Sequence, residues 1–93
     1  MLSVLRSVRF ARDITRLSRK HREVVFVYES ALTILKADPY NLSRTHRIKK
    51  LRDIKQGEGE WCLRVDKWRI RYDISGSSVI LHSFKPRKEA YKE

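Results

Sequence analysis

Between Glu60 and Tyr72 the chain reads Glu-Trp-Cys-Leu-Arg-Val-Asp-Lys-Trp-Arg-Ile-Arg-Tyr, two short runs that alternate with a period of two. Side chains of a strand point alternately to opposite faces, so this pattern predicts two half-buried strands. Trp61, Leu63 and Val65 share one face of the first run, and Trp68, Ile70 and Tyr72 one face of the second. Cys62, Arg64, Arg69 and Arg71 fall on the other face. Asp66-Lys67 is a short polar connection of the kind that closes a hairpin. The expectation is a sheet with an aromatic face on the core and an arginine face left open. A single arginine on a solvated strand face is ordinary. Arg64, Arg69 and Arg71 together repel one another, and a fold keeps such a cluster most readily where a polyanion covers it.

The rest of the chain can supply the core that this sheet needs. Its 93 residues make one small domain, 1–93, and an apolar fraction of 41% is enough for one core. Leu2 to Val8 reads as a first strand. Phe10, Ile14 and Leu17 follow at helical spacing and predict a short helix ending near Lys20. His21 to Lys36 carries a broad apolar stripe of Val24, Val27, Tyr28, Ala31, Leu32, Ile34 and Leu35, and predicts a second helix. That helix must stop before Pro39, because the residue preceding a proline is pushed out of helical geometry. Asn41 to Arg52 is polar and basic, a loop leading into a short strand near Ile48 to Leu51. Gln56-Gly57-Glu58-Gly59 reads as a flexible turn into the hairpin, and Ser75-Gly76-Ser77 as the next turn. Ser78 to Phe84 is the last long strand. Its consecutive Val79, Ile80 and Leu81 suit a central position, and Pro86 ends the ladder. The fold class is α+β: an N-terminal strand and an antiparallel two-helix hairpin packed on a mostly antiparallel sheet of four to five strands.

Charge narrows the function. Lys plus Arg number 22 against 11 acids, a net charge of +11. A chain this basic usually meets nucleic acid, an acidic protein or an anionic membrane. No apolar run approaches the roughly 20 residues of a membrane span. One cysteine, Cys62, excludes an intramolecular disulfide and a cysteine-rich metal site, and fits a reducing cytoplasm. Met1 to Arg12, with Arg6, Arg9 and Arg12 and no acid, resembles a mitochondrial presequence in composition. Val4, Leu5 and Val8 fit a strand better. His21, His46 and His82 are scattered, and no cofactor or metal is expected. Beside Arg64, Cys62 could be a low-pKa thiol, although a buried structural cysteine is the commoner case.

The candidate site is therefore a set of cations. Lys49, Lys50 and Arg52 come from the basic strand, Arg64 and Arg69 from the hairpin, and Lys85, Arg87 and Tyr91 from the tail, with Arg47, Arg71 and Lys88 as further nucleic-acid-binding candidates. Phosphate contacts supply most of the affinity of a basic protein for nucleic acid, and a ring such as Tyr91 can stack on a splayed base. Cations can also catalyse, since RNA carries its own nucleophile in the 2′-OH. Cleavage requires removing that proton, neutralising the phosphorane and protonating the leaving oxygen. Arginine performs only the second task, whereas a lysine crowded by other cations can approach a general base. On these grounds the chain is a nucleic-acid binder or a metal-independent ribonuclease, and the residues alone leave both open.

Lys50-Leu51-Arg52, Gly57 and Gly59, the hairpin from Trp61 to Tyr72 and the closing Arg87-Lys88-Glu89-Ala90-Tyr91 together resemble the RelE/ParE superfamily, the toxins of type II toxin–antitoxin systems. The resemblance implies the strand, helical hairpin and sheet just described. It also implies an acidic antitoxin as partner and one of two targets. RelE-like members cleave messenger RNA in the ribosomal A site; ParE-like members inhibit DNA gyrase. The retained hairpin and tail cations favour the RelE-like reading, with an inactive RNA-binding relative as a third. By position, the resemblance places Arg64, Arg69, Arg87 and Tyr91 at the scissile phosphate, with Lys85 near a second tail cation. Some relatives have a lysine where this chain has Cys62, so Lys49 or Lys50 would serve as base. The usual turn glycine is replaced by Asp66-Lys67.

Overall fold

In the structure, a computed structural model that describes residues 2–87, Ser7 ends the first strand and starts the first helix. Its Oγ accepts from the Phe10 N–H at 3.0 Å and donates to the His82 carbonyl at 3.1 Å. This is an N-cap, in which a short hydroxyl satisfies a free N–H of the first turn. Strand β1 is therefore Ser3–Arg6 and helix α1 is Val8–Lys20, so Val8, expected in the strand, is the first helical residue. Helix α2 runs Glu23–Ala37. Beyond it the Asp38 carboxylate accepts from the N–H groups of Leu42 and Ser43 at 2.7 and 3.1 Å, folding the loop onto the helix end. Burial raises the Tyr72 hydroxyl pKa; that hydroxyl donates to the Pro39 carbonyl at 2.6 Å and ties the same loop to the sheet.

The remaining strands are β2 (Ile48–Lys50), β3 (Trp61–Val65), β4 (Trp68–Ser75) and β5 (Ser78–Pro86). They join β1 in a five-stranded sheet of order β1-β5-β4-β3-β2, antiparallel except where β1 pairs with β5. Strand β5 is internal, as its apolar run suggested. Val79 and Leu81 are buried, while Ile80 on the opposite face is half-buried. Val65 pairs with Trp68, leaving Asp66-Lys67 as the two-residue connection. Asp66 takes φ 55°, a region that Asp tolerates better than most residues. Both helices cover one face. Phe10, Leu17, Val24, Val27, Ala31 and Leu35 meet Leu63, Trp68, Ile70, Tyr72, Val79, Leu81 and Phe84 in one apolar cluster. Rings lock it: Phe10 stands edge-on to Phe84 at 6.0 Å, and Trp68 lies 5.1 Å from Phe84. At one corner Lys67 bridges to Glu23 at 3.3 Å and His21 stands edge-on to Trp68, which joins the helical hairpin to the strand hairpin.

Candidate nucleic-acid interface

The register of the sheet assembles the cations. Arg64 on β3 pairs with Arg69 on β4, and Arg69 pairs with Lys85 on β5. The Arg64 N–H donates to the Arg47 carbonyl at 2.8 Å, which brings Arg47 to the other side of Arg64. Neighbouring strands lie about 4.8 Å apart, so Arg47, Arg64, Arg69 and Lys85 form one row across the face away from the helices. Directly opposed like charges are destabilising. Arg64 Nε is moreover buried with no hydrogen-bond partner among the described residues. Two residues along, a second row runs Lys49, Cys62, Arg71 and Ser83.

Lys50 is not part of this face. It pairs with Trp61, whose ring belongs to the core side. Its Nζ lies 5.7 Å from the Trp61 ring centre and 3.7 Å from Glu60. Of the two candidate lysines, the strand's alternation thus turns Lys49 to the arginine row and Lys50 away from it. Lys49 is also the residue directly opposite Cys62. Cys62 itself is buried, and that burial raises its thiol pKa against the opposing pull of the Arg69 hydrogen bond and charge. It is not an activated thiol. Arg52 is exposed just beyond β2. Arg87 is exposed too, and its N–H donates to the Lys67 carbonyl at 2.6 Å, which seats the end of β5 beside the hairpin turn. Lys88 and Tyr91 lie outside the described residues.

The other end of the face is closed by a strap. Asp73 continues the alternation of Arg69 and Arg71, and the residue is only 3% exposed. Its carboxylate accepts from the N–H groups of Gly57, Gly59 and Glu60 at 2.9, 2.9 and 3.0 Å. Arg71 donates Nε to the Gly59 carbonyl at 3.0 Å and Nη2 to the Glu58 carbonyl at 2.7 Å. Gln56 to Gly59, expected to be a flexible turn, are therefore pinned across the sheet together with Glu60. Gly59 has φ 77°, and a Cβ there would stand 3.0 Å from Arg71 Cβ and 3.2 Å from His82 Cγ. Arg71, a sequence candidate for nucleic-acid binding, is placed here as the second anchor of the strap. Sequence reasoning passed over Asp73: the alternation puts an acid on the arginine face, but nothing local shows that it meets Gly57, Gly59 and Glu60.

His82 is the extra residue of a β-bulge, since Arg71 pairs with Ser83 and Tyr72 with Leu81. Its ring lies under Gly59. Burial lowers its pKa, the charges of Arg71, Arg9 and Lys85 lower it further, and Asp73 opposes them. The folded protein therefore holds His82 neutral at a pH where the unfolded chain has begun to take up a proton. Stability should be full above about pH 6.5, the unfolded value, and fall as the pH drops below it toward the depressed folded value. Denaturant melts across that range check this. His82→Gln should flatten the slope, and an unchanged slope would assign it to other groups.

Among the described residues no group of three His, Cys, Asp or Glu side chains could hold a metal ion, and no helix is long and apolar enough to cross a membrane. No protein-family model matches the sequence, and no curated protein is significantly similar to it. Solved structures do match. The RelBE2 toxin–antitoxin complex of Mycobacterium tuberculosis contains a chain with TM-score 0.71 and 23% identity, covering 92% of this chain and 98% of that one. The DinJ–YafQ complex of E. coli contains one with TM-score 0.73 and 13% identity, covering 98% and 99%. The RelB–RelE antitoxin–toxin complex of Methanococcus jannaschii contains one with TM-score 0.61 and 21% identity, covering 94% of each. The strand, helical hairpin and five-stranded sheet are thus those of the RelE-like α+β fold. At these identities the likeness is one of fold.

Proposed function

We propose that this protein is the toxin of a type II toxin–antitoxin system and that it cleaves messenger RNA on the ribosome. The observation that carries the reading is the row Arg47, Arg64, Arg69 and Lys85, assembled by strand register on an open face with Lys49 one row away. Such a row suits the charge that builds on a phosphate during cleavage. The 2′-oxygen attacks the adjacent phosphorus as its proton passes to a base. The five-coordinate phosphorane gains negative charge, and the bond to the 5′-oxygen breaks as that oxygen takes a proton. Preorganised guanidinium groups stabilise the middle of this sequence. Lys49 and Lys85 are the amines on the same face, and Arg87 and Tyr91 of the tail complete the set by resemblance. The structural neighbours occur in toxin–antitoxin complexes. An acidic antitoxin suits the net charge of +11, and the exposed Val25 and Phe26 on α2 give such a partner apolar anchors.

The competing reading, inhibition of DNA gyrase, predicts opposite results. Added to a translating extract, the protein should produce discrete cuts in the message by primer extension, while gyrase supercoiling proceeds normally. Blocked supercoiling with intact messages would replace this reading by the gyrase one.

A further inference from the structure

The cations of the sheet are not the only ordered ones. Along α1, Arg9, Arg12, Arg16 and Arg19 are spaced by three, four and three residues, and all four are exposed. At 3.6 residues per turn they share an arc of about 80°, on the side of the helix away from Phe10, Ile14 and Leu17. The rise of about 1.5 Å per residue makes this a straight ridge roughly 15 Å long. Among the described residues one acid bridges to it, Asp13 to Arg16 at 3.3 Å. The ridge begins near the end of the sheet, where Arg9 is close enough to His82 to oppose its protonation.

We infer that the α1 ridge is a second RNA-binding surface, separate from the cation row of the sheet, which grips the phosphate backbone of structured RNA. Its composition selects that occupant. A protein partner needs an apolar centre to its interface, and the ridge has none; the large exposed apolar side chains of the helices are Val8 at one end of α1 and Val25 and Phe26 on α2. A single-strand site needs aromatic platforms, and the only aromatic residue of α1, Phe10, is fully buried. Guanidinium groups on a rigid rod meet the requirements of a backbone contact, which positions an RNA without reading its sequence. The surface would be kept by a protein that binds RNA without cutting it, so it does not depend on the cleavage reading.

The test uses the whole protein and a blunt, fluorescein-labelled 16-base-pair RNA duplex, a probe that offers phosphates and no unpaired bases. Anisotropy titrations over a range of salt give the slope of log affinity against log salt. The triple variant Arg12→Gln/Arg16→Gln/Arg19→Gln should lower that slope by about 2–3, close to one per lost phosphate contact. Lys36→Gln/Arg44→Gln/Lys55→Gln removes the same charge from exposed positions elsewhere and should keep most of it. Circular dichroism and thermal midpoints confirm that both variants fold. Equal losses in the two triples would mean that net charge alone binds RNA, and would overturn the inference. So would a ridge variant that binds duplex like the parent but no longer binds polyglutamate, since the ridge would then serve an acidic polypeptide.

Discussion

Arg69→Ala is expected to remove about 2.7–4 kcal/mol of transition-state stabilisation, a loss of roughly 100- to 1,000-fold in cleavage rate, with the fold intact. The expectation follows from where the residue is held. Arg69 stands mid-row between Arg64 and Lys85, on a strand with paired neighbours on both sides. A backbone fixed in this way can direct a guanidinium at a phosphate without reorganisation. The side chain faces away from the helices, so truncation takes nothing from the apolar cluster. Growth arrest on expression should disappear, while α2 and its exposed Phe26 remain available to an antitoxin. Comparison of growth and of antitoxin co-purification between the parent and Arg69→Ala separates loss of chemistry from loss of structure. A variant that loses both would point to misfolding rather than to an inactive site.

Asp73→Ala should have the largest effect on stability. Asp73 is nearly fully buried, and its carboxylate accepts from three backbone donors on the strap. Its removal strands those N–H groups, and each donor that stays dry costs about 1–3 kcal/mol. Arg71 would still donate to the Gly59 and Glu58 carbonyls of the strap. A loss of about 3 kcal/mol or more is expected in urea titrations, together with rapid amide exchange at Gly57, Gly59 and Glu60. Asp73→Asn should be only partly better, because its amide nitrogen would face donors rather than accept from them. If Asp73→Ala melts like the parent, the strap is not held by this carboxylate.

Much of this architecture was legible because one pattern did several jobs. Period-two alternation from Trp61 to Tyr72 specified two strands, the two faces of the sheet and the positions of Arg64 and Arg69 on the open one. Helical spacing around Phe10 and Val24 specified what covers the other face. What was not legible depended on register and on long-range contacts. Lys49 and Lys50 are adjacent in sequence, and only the pairing of β2 with β3 decides which of them meets the arginines. The bulge at His82 could not be seen from the alternation of β5 alone. Residues 56–59 read as flexible because glycine pairs usually mark loose turns. Their order comes from Asp73, about fifteen residues away, through bonds that no local pattern encodes. Ser7 is the local exception, an N-cap in plain view that the preceding run of Leu and Val disguised as strand.

Whether the row on the open sheet face cleaves RNA is decided by single-turnover cleavage of ribosome-bound message. The parent protein should cut at discrete positions. Arg69→Ala should be slower by roughly 100- to 1,000-fold, and Arg64→Ala/Arg69→Ala should leave the message intact over the same interval. Cleavage by the double variant at the parent's rate would move the active surface off this face.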